Sequence, residues 1–309
     1  MQAVGSVALP FFAVVASGYF AARSGLLPRA AVSGINVFVF YFALPALLVV
    51  SIAASPVREI LDPTLLLAWL LPSLLLFVLG FFIMRRGFRA TRSEAAVQAL
   101  AGVFSNVGFM GLPLVVLALG SAAILPAVVV VLADTVIMIA IATMLIESER
   151  NARAGIVSAL ATVLSGVARN PVIIASLVGL LLAGFEVSFP APVDAYLQLL
   201  GDAAAPAALF ALGAALAVGG SARGAGSTAV LLTLKLLVHP LLVLLVGLWL
   251  QLPALWLAVL VIQASLPIAV NVYVLAQRYE VAVDQMSAAI FLSTVISIVT
   301  VSFVLSRFI

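Results

Sequence analysis

The chain is built from apolar runs close to the length of a membrane-crossing helix. Between Ala122 and Ile146, for example, Asp134 is the one charged residue. A helix needs about 20 apolar residues to cross the hydrocarbon core, and such runs recur along all 309 residues. Composition agrees: 66% of residues are hydrophobic and 8% charged, against about 25% charged in soluble domains. Fourteen basic and eleven acidic side chains do not make a soluble surface. A soluble enzyme, a nucleic-acid-binding domain and a disordered chain are excluded, and no nucleic-acid partner is expected. An outer-membrane barrel would alternate apolar and polar residues, which these runs do not. There is no cysteine and one histidine, so no disulfide, metal centre or cofactor is expected. Met1-Gln2-Ala3 lacks the basic region of a signal peptide, so the first segment is expected to be retained.

Ten spans are predicted, at roughly 4–22, 31–54, 63–84, 94–119, 122–146, 170–185, 193–218, 228–250, 254–277 and 283–307. The stretch 156–168, bracketed by Arg153 and Arg169, is short for a span and reads as an interfacial helix. An eleventh span is its alternative. Basic residues favour cytoplasmic loops. Arg23, Arg29, Arg85, Arg86, Arg89, Arg92, Arg150, Arg153, Arg169, Arg223 and Arg278 fall in the loops of one side. The other side holds Arg58 and Arg307, and Lys235 falls inside span eight. The expectation is an inner-membrane protein with both termini on the non-cytoplasmic side.

The chain also matches itself. Pro10, Gly18, Pro45 and Ala46 recur as Pro171, Gly179, Pro206 and Ala207, at a constant offset of 161. This divides the chain into 1–150 and 151–309. Five spans per copy is odd, so the copies are predicted to be inserted upside down relative to each other. Inverted repeats of this kind build many secondary transporters, with the substrate held near the midplane.

Spans four and nine are interrupted at corresponding places. Span four reads Ser105-Asn106-Val107-Gly108-Phe109-Met110-Gly111-Leu112-Pro113. Span nine reads Gln263-Ala264-Ser265-Leu266-Pro267-Ile268-Ala269-Val270-Asn271. Pro113 and Pro267 lack an N–H and free the carbonyls of Phe109 and Gln263; Gly108 and Gly111 loosen the backbone. Broken backbone at membrane depth is tolerated where it is buried in protein or lines a wet cavity. Ser105, Asn106, Gly108, Gly111, Pro113, Gln263, Ser265, Pro267 and Asn271 are therefore the candidate substrate-binding residues. Pro45, Pro72, Pro126, Pro206 and Pro240 read as ordinary kinks.

Ionisable residues inside spans are candidates for coupling to an ion. Asp134 is the first, near the middle of span five. Asp202, Lys235 and His239 are the others. Lys235 and His239 lie four apart and share a helix face. Lys235 either pairs with Asp202 or Asp134 or extends to the interface. Trp69, Trp249 and Trp256 read as interfacial anchors, and Thr91 with Glu94 as a capping box.

These stretches resemble the auxin efflux carrier family in its compact bacterial form, a family of plant auxin exporters and bacterial malonate or malate permeases. The resemblance is carried by residues 38–46 (FVFYFALPA), 105–113 (SNVGFMGLP), 170–182 (NPVIIASLVGLLL) and 266–279 (LPIAVNVYVLAQRY). It implies an all-α fold of ten transmembrane helices in two inverted five-helix repeats, similar to bile-acid/sodium symporters, with helices 4 and 9 crossing where they unwind. It implies a scaffold of helices 1, 2, 6 and 7, often forming a homodimer, and a moving transport domain of helices 3–5 and 8–10.

The chain is thus expected to be a carrier and not an enzyme. It would move a small organic anion, a carboxylate, by alternating access of the elevator type. Half-helix N-termini attract such a group. Protons or Na⁺ are the expected coupling ions. The alternative is a Na⁺-coupled symporter of a neutral or steroid-like solute; a membrane sensor is a weaker one.

Overall fold

The computed structural model describes residues 2–54, 63–150, 168–169, 171–187, 189–217 and 224–308. Among them every regular element is helical. Six helical stretches are long and apolar enough to cross a membrane: Ala30–Ala53, Pro63–Gly87, Ser121–Glu149, Ala191–Ala214, Ala225–Trp249 and Val283–Phe308. Val107–Leu119, Ile173–Gly184 and Ala254–Ala264 are shorter apolar helices. Leu181, Leu199, Val299 and Phe303 stand exposed, as lipid-facing side chains do. The architecture is that of a polytopic helical membrane protein. The predicted interfacial helix, apart from Ala168, lies outside the described residues, as do Arg58, Arg153, Arg223 and Asn170.

In chain order the helices are α1 (Gln2–Arg23), α2 (Arg29–Phe38), α3 (Leu44–Ala53), α4 (Pro63–Phe82), α5 (Arg92–Ala101), α6 (Leu112–Leu119), α7 (Ile124–Ala133) and α8 (Ile139–Arg150). They continue as α9 (Pro171–Gly184), α10 (Ala191–Asp202), α11 (Ala204–Leu216), α12 (Ala225–Thr233), α13 (His239–Trp249), α14 (Ala254–Ala264), α15 (Val270–Tyr279) and α16 (Val283–Phe308).

Prolines explain several joints between them. π-Helical turns occupy Val39–Ala43, Val107–Gly111 and Leu234–Val238, and Pro45, Pro113 and Pro240 follow each by two residues. Proline offers no N–H to the carbonyl four residues back and its ring crowds that carbonyl. The preceding turn widens to relieve the clash. Pro45 and Pro240 therefore do more than kink a helix: each is preceded by a widened turn, a feature frequent at functional sites. A further π turn, Asp134–Met138, begins on the buried acid.

The start of α5 is closed as its sequence predicts. The Glu94 N–H donates to Thr91 Oγ1 at 3.2 Å, and the Thr91 N–H donates to Glu94 Oε2 at 2.7 Å. Glu149, at the end of α8, also accepts from the backbone N–H groups of Arg92 and Ser93 at 3.1 and 2.6 Å. An anion there offsets the positive end of the helix. Thr91→Ala should lower stability by about 1 kcal/mol, the usual cost of a lost cap. Thermal unfolding of the purified protein reads this directly, and an unchanged midpoint would show that Glu149 alone holds the helix start.

Candidate crossover site

Helix α5 stops at Ala101, and the chain runs irregularly through Gly102–Asn106 before the π turn and α6 resume the span. Helix α14 stops at Ala264 and α15 starts at Val270. The two gaps meet. Ser105 and Ile268 form an antiparallel bridge. The Asn106 N–H donates to the Pro267 carbonyl at 2.9 Å, and the Ala269 N–H donates to the Phe104 carbonyl at 3.2 Å. Each break thus satisfies backbone groups that the other leaves open, which is what makes two broken helices tolerable in a bilayer. Gly111 permits the approach, since a Cβ there would sit 2.7 Å from Leu266 Cδ1.

A small cavity of about 40 Å³ opens beside this pairing, room for about three waters. Ser105, Asn106, Gly108, Thr135 and Asn271 line it, together with apolar residues that include Phe40 and Phe109. The rings of Phe40 and Phe109 stack at 5.9 Å and close one wall. Asn106 is 3% exposed and Ser105 fully buried, and Ser105 Oγ has no hydrogen-bond partner. Asn271, by contrast, is exposed. The helix that begins at Val107 and α15, which begins at Val270, both direct N-terminal residues to this space. No charged side chain lines it, so a bound anion would be met by backbone dipoles and amide or hydroxyl donors.

The other predicted site residues take supporting places. Pro113 is buried in the first turn of α6. The Pro267 carbonyl is consumed by the crossing. Ser265 Oγ donates to the Ile262 carbonyl at 2.7 Å. Gln263 is fully buried, yet neither polar atom of its side chain has a partner. Its backbone carbonyl, predicted to be free, accepts from the Leu266 N–H at 3.3 Å.

Behind the crossover lies a chain of buried polar groups. Asp134 is 1% exposed, and Lys235 and His239 are wholly buried. The Trp69 indole Nε1 donates to Asp134 Oδ1 at 2.8 Å. The Trp69 ring meets the His239 ring edge-on at 5.2 Å. Ser73 Oγ lies 3.0 Å from His239 Nε2 and 2.7 Å from the Trp69 carbonyl. Lys235 does not extend to the interface: its Nζ donates to the Ala264 carbonyl at 2.6 Å. Nor does it hydrogen-bond Asp134, whose Oδ2 has no partner, although the two charges act on each other through space. Asp202 stands apart, exposed at the end of α10.

Sequence reasoning missed Trp69, Ser73, Thr135 and Phe40. Trp69 was expected at the interface and is instead fully buried. An indole N–H needs an acceptor when buried, and Asp134, in the turn between α7 and α8, supplies it. Trp249 is 71% exposed, in keeping with the anchoring role.

Comparison with known proteins gives this geometry its setting. A family model described as "Membrane transport protein" matches residues 4–305. The chain belongs to that membrane transport protein family. It is the family of auxin efflux carriers and malonate-type permeases, as the sequence motifs suggested. A family member in Rhizobium meliloti (strain 1021), described as "Putative malonate transporter", is 32% identical over 307 residues, covering 98% of this chain and 95% of that protein. Another, "Uncharacterized transporter YfdV" of Escherichia coli (strain K12), is 30% identical over 299 residues, covering 94% and 93%. Members of the membrane transport protein family are named as transporters and not as enzymes, so this chain is an integral membrane transporter.

Proposed function

We propose that this transporter carries a small carboxylate, malonate or a close analogue, by alternating access through the crossover cavity. The observation that carries this reading is the cavity itself. Two half-helix N-termini and four polar side chains, Ser105, Asn106, Thr135 and Asn271, surround one uncharged space. Donors of this kind hold a carboxylate without a permanent buried counter-charge. The relative named for malonate supports the substrate class. The cavity is smaller than a dicarboxylate, so loading requires the Phe40–Phe109 wall to part. Asp134, buried behind the crossover, is the candidate for coupling to protons, with Lys235 and His239 as lesser ones. Asp202 is a more distant candidate.

The ten-helix inverted repeat is part of the proposal. Reciprocal packing supports it: α1 lies against α11, and α9 against α3. Gly18 sits at the first contact, where a Cβ would overlap the Phe210 carbonyl. Gly179, its counterpart at the same repeat offset, sits at the second, where a Cβ would stand 2.9 Å from Ile52 Cβ. Helices 1, 2, 6 and 7 of the repeat would form the scaffold and any homodimer contact. Helices 3–5 and 8–10 would move as the elevator, with both termini outside the cytoplasm.

Thermal stabilisation of the purified protein tests the substrate reading. Malonate, malate and indole acetate would be compared, each with wild type, Asn106→Ala and Asn271→Ala. A ligand at 100 times its Kd adds about 2.7 kcal/mol. The expected result is a malonate-dependent shift that both variants lose. A shift that both variants keep would place the carboxylate elsewhere, and no shift with any of the three would end the small-carboxylate reading.

A further inference from the structure

Helix α4 carries a stripe of exposed apolar side chains. Leu75, Leu79 and Phe82 all stand exposed, at the four- and three-residue spacing that lines one face of a helix. The stripe ends on Arg86, whose guanidinium lies 5.2 Å from the centre of the Phe82 ring. At 1.5 Å per residue, Leu75 to Arg86 covers about 16 Å. That is close to half of the hydrocarbon core of about 30 Å, the depth of one leaflet. An acyl chain lying on this stripe brings its headgroup to Arg86.

The turn that follows is fixed in place. The N–H groups of Phe88 and Ala90 both donate to the Met84 carbonyl, at 3.3 and 3.1 Å. Arg85 Nη1 donates to the Ala90 carbonyl at 2.7 Å. Met84 and Ala90 are buried, and the Phe88 ring lies against Gly226 near the start of α12. Arg89 holds a left-handed backbone, with φ 55°, a conformation that a side chain adopts at a cost and keeps where its surroundings fix it. Four arginines thus fall within residues 85–92. The carboxylates of the adjoining helix start are already engaged: Glu94 by the Thr91 N–H, and Glu149 by the N–H groups of Arg92 and Ser93. Among the described residues neither Arg86 nor Arg89 pairs with a carboxylate.

We infer that residues 83–92, with the face of α4 beneath them, form a site for one anionic phospholipid, its phosphate held by Arg86 and Arg89 and an acyl chain laid along Phe82, Leu79 and Leu75. A guanidinium presents paired N–H donors to phosphate oxygens. A zwitterionic lipid brings its own ammonium to the same place and gains less, so the site selects a headgroup without a cation, such as phosphatidylglycerol. Helix α5, which leads into the first break, starts from this turn, so the bound lipid fixes the height of that helix in the membrane. The inference rests on neither the substrate nor the crossover cavity.

Native mass spectrometry of the full-length purified protein, offered equal amounts of phosphatidylglycerol and phosphatidylcholine with matched chains, tests it. Wild type should retain phosphatidylglycerol preferentially. Arg86→Gln and Arg89→Gln should each lower that preference about fivefold, and together about 25-fold. Phe82→Leu keeps the stripe but removes the ring under the guanidinium, and should lower it about twofold. Arg278→Gln, which removes another exposed arginine, should leave it unchanged. Equal retention of the two lipids by wild type would overturn the inference. So would a preference that survives the double substitution, or one that Arg278→Gln lowers as much, since the protein would then respond to positive charge in general. Displacement of the lipid by millimolar inorganic phosphate would also overturn it, by making this a site for free anions.

Discussion

Trp69→Ala should destabilise the protein by about 4–5 kcal/mol, among the largest effects available to a single substitution. Removing a fully buried tryptophan leaves a cavity, which alone costs about 3–5 kcal/mol. It also strips Asp134 of its hydrogen bond from Nε1, leaving a buried carboxyl whose second oxygen already lacks a partner. Trp69→Phe separates the two contributions. It keeps most of the volume and the edge-on contact with His239, and deletes the donor. About 2 kcal/mol is expected from it, the cost of orphaning a buried polar partner. A double-mutant cycle with Asp134→Asn decides whether the pair acts as a unit: the two losses should fall short of additivity by about 1 kcal/mol or more. Strict additivity in thermal or chemical unfolding would mean the indole and the carboxyl merely lie side by side.

Gly18→Ala should cost about 3 kcal/mol. The added methyl would overlap backbone at Phe210, and a main-chain carbonyl in a helix cannot rotate aside. Helices α1 and α11 would have to separate, at the upper end of the usual overpacking penalty. Gly179→Ala meets the Ile52 side chain at 2.9 Å instead, so about 1–2 kcal/mol is expected. Gly108→Ala meets nothing within 4 Å and should leave stability nearly unchanged while narrowing the cavity. The predicted ranking of unfolding midpoints is Gly18→Ala lowest, then Gly179→Ala, then Gly108→Ala. If Gly18→Ala unfolds with wild type, the close crossing of α1 and α11 is not made.

The interruptions of spans four and nine were legible in the sequence because their causes are local. Pro113, Pro267, Gly108, Gly111 and the paired asparagines act on their own backbone, and each leaves a residue-level mark. The crossing of the two breaks was implied only by resemblance, and the pairing of Ser105 with Ile268 not at all, because nothing local ties residues so far apart. The burial of Trp69 was not legible: an apolar window does not say which side of a helix faces protein. Helix spacing put Lys235 and His239 on one face, and pairing with Asp134 or Asp202 was one expectation, but the acceptor of Lys235 is a main-chain carbonyl. Main-chain acceptors have no sequence signature, and this one exists only because α14 stops at Ala264. Asp202 looked like a neighbour of the same cluster because it falls in an apolar span, yet it emerges on the outer side of α10.

The antiparallel pairing at the crossing also sets an order of events during biosynthesis. The Asn106 N–H and the Phe104 carbonyl are synthesised long before their partners at Pro267 and Ala269. At a translation rate of about 5–20 residues per second, the first broken helix waits roughly 10–30 s for the second. Throughout that interval its open main-chain groups have no mate, and hydrocarbon offers none. The nascent N-terminal half must therefore remain next to water, to the insertion machinery or to a chaperone until the C-terminal half arrives. Severed between residues 150 and 171, neither half would hold its own broken helix, and co-expressed halves should be recovered together or not at all.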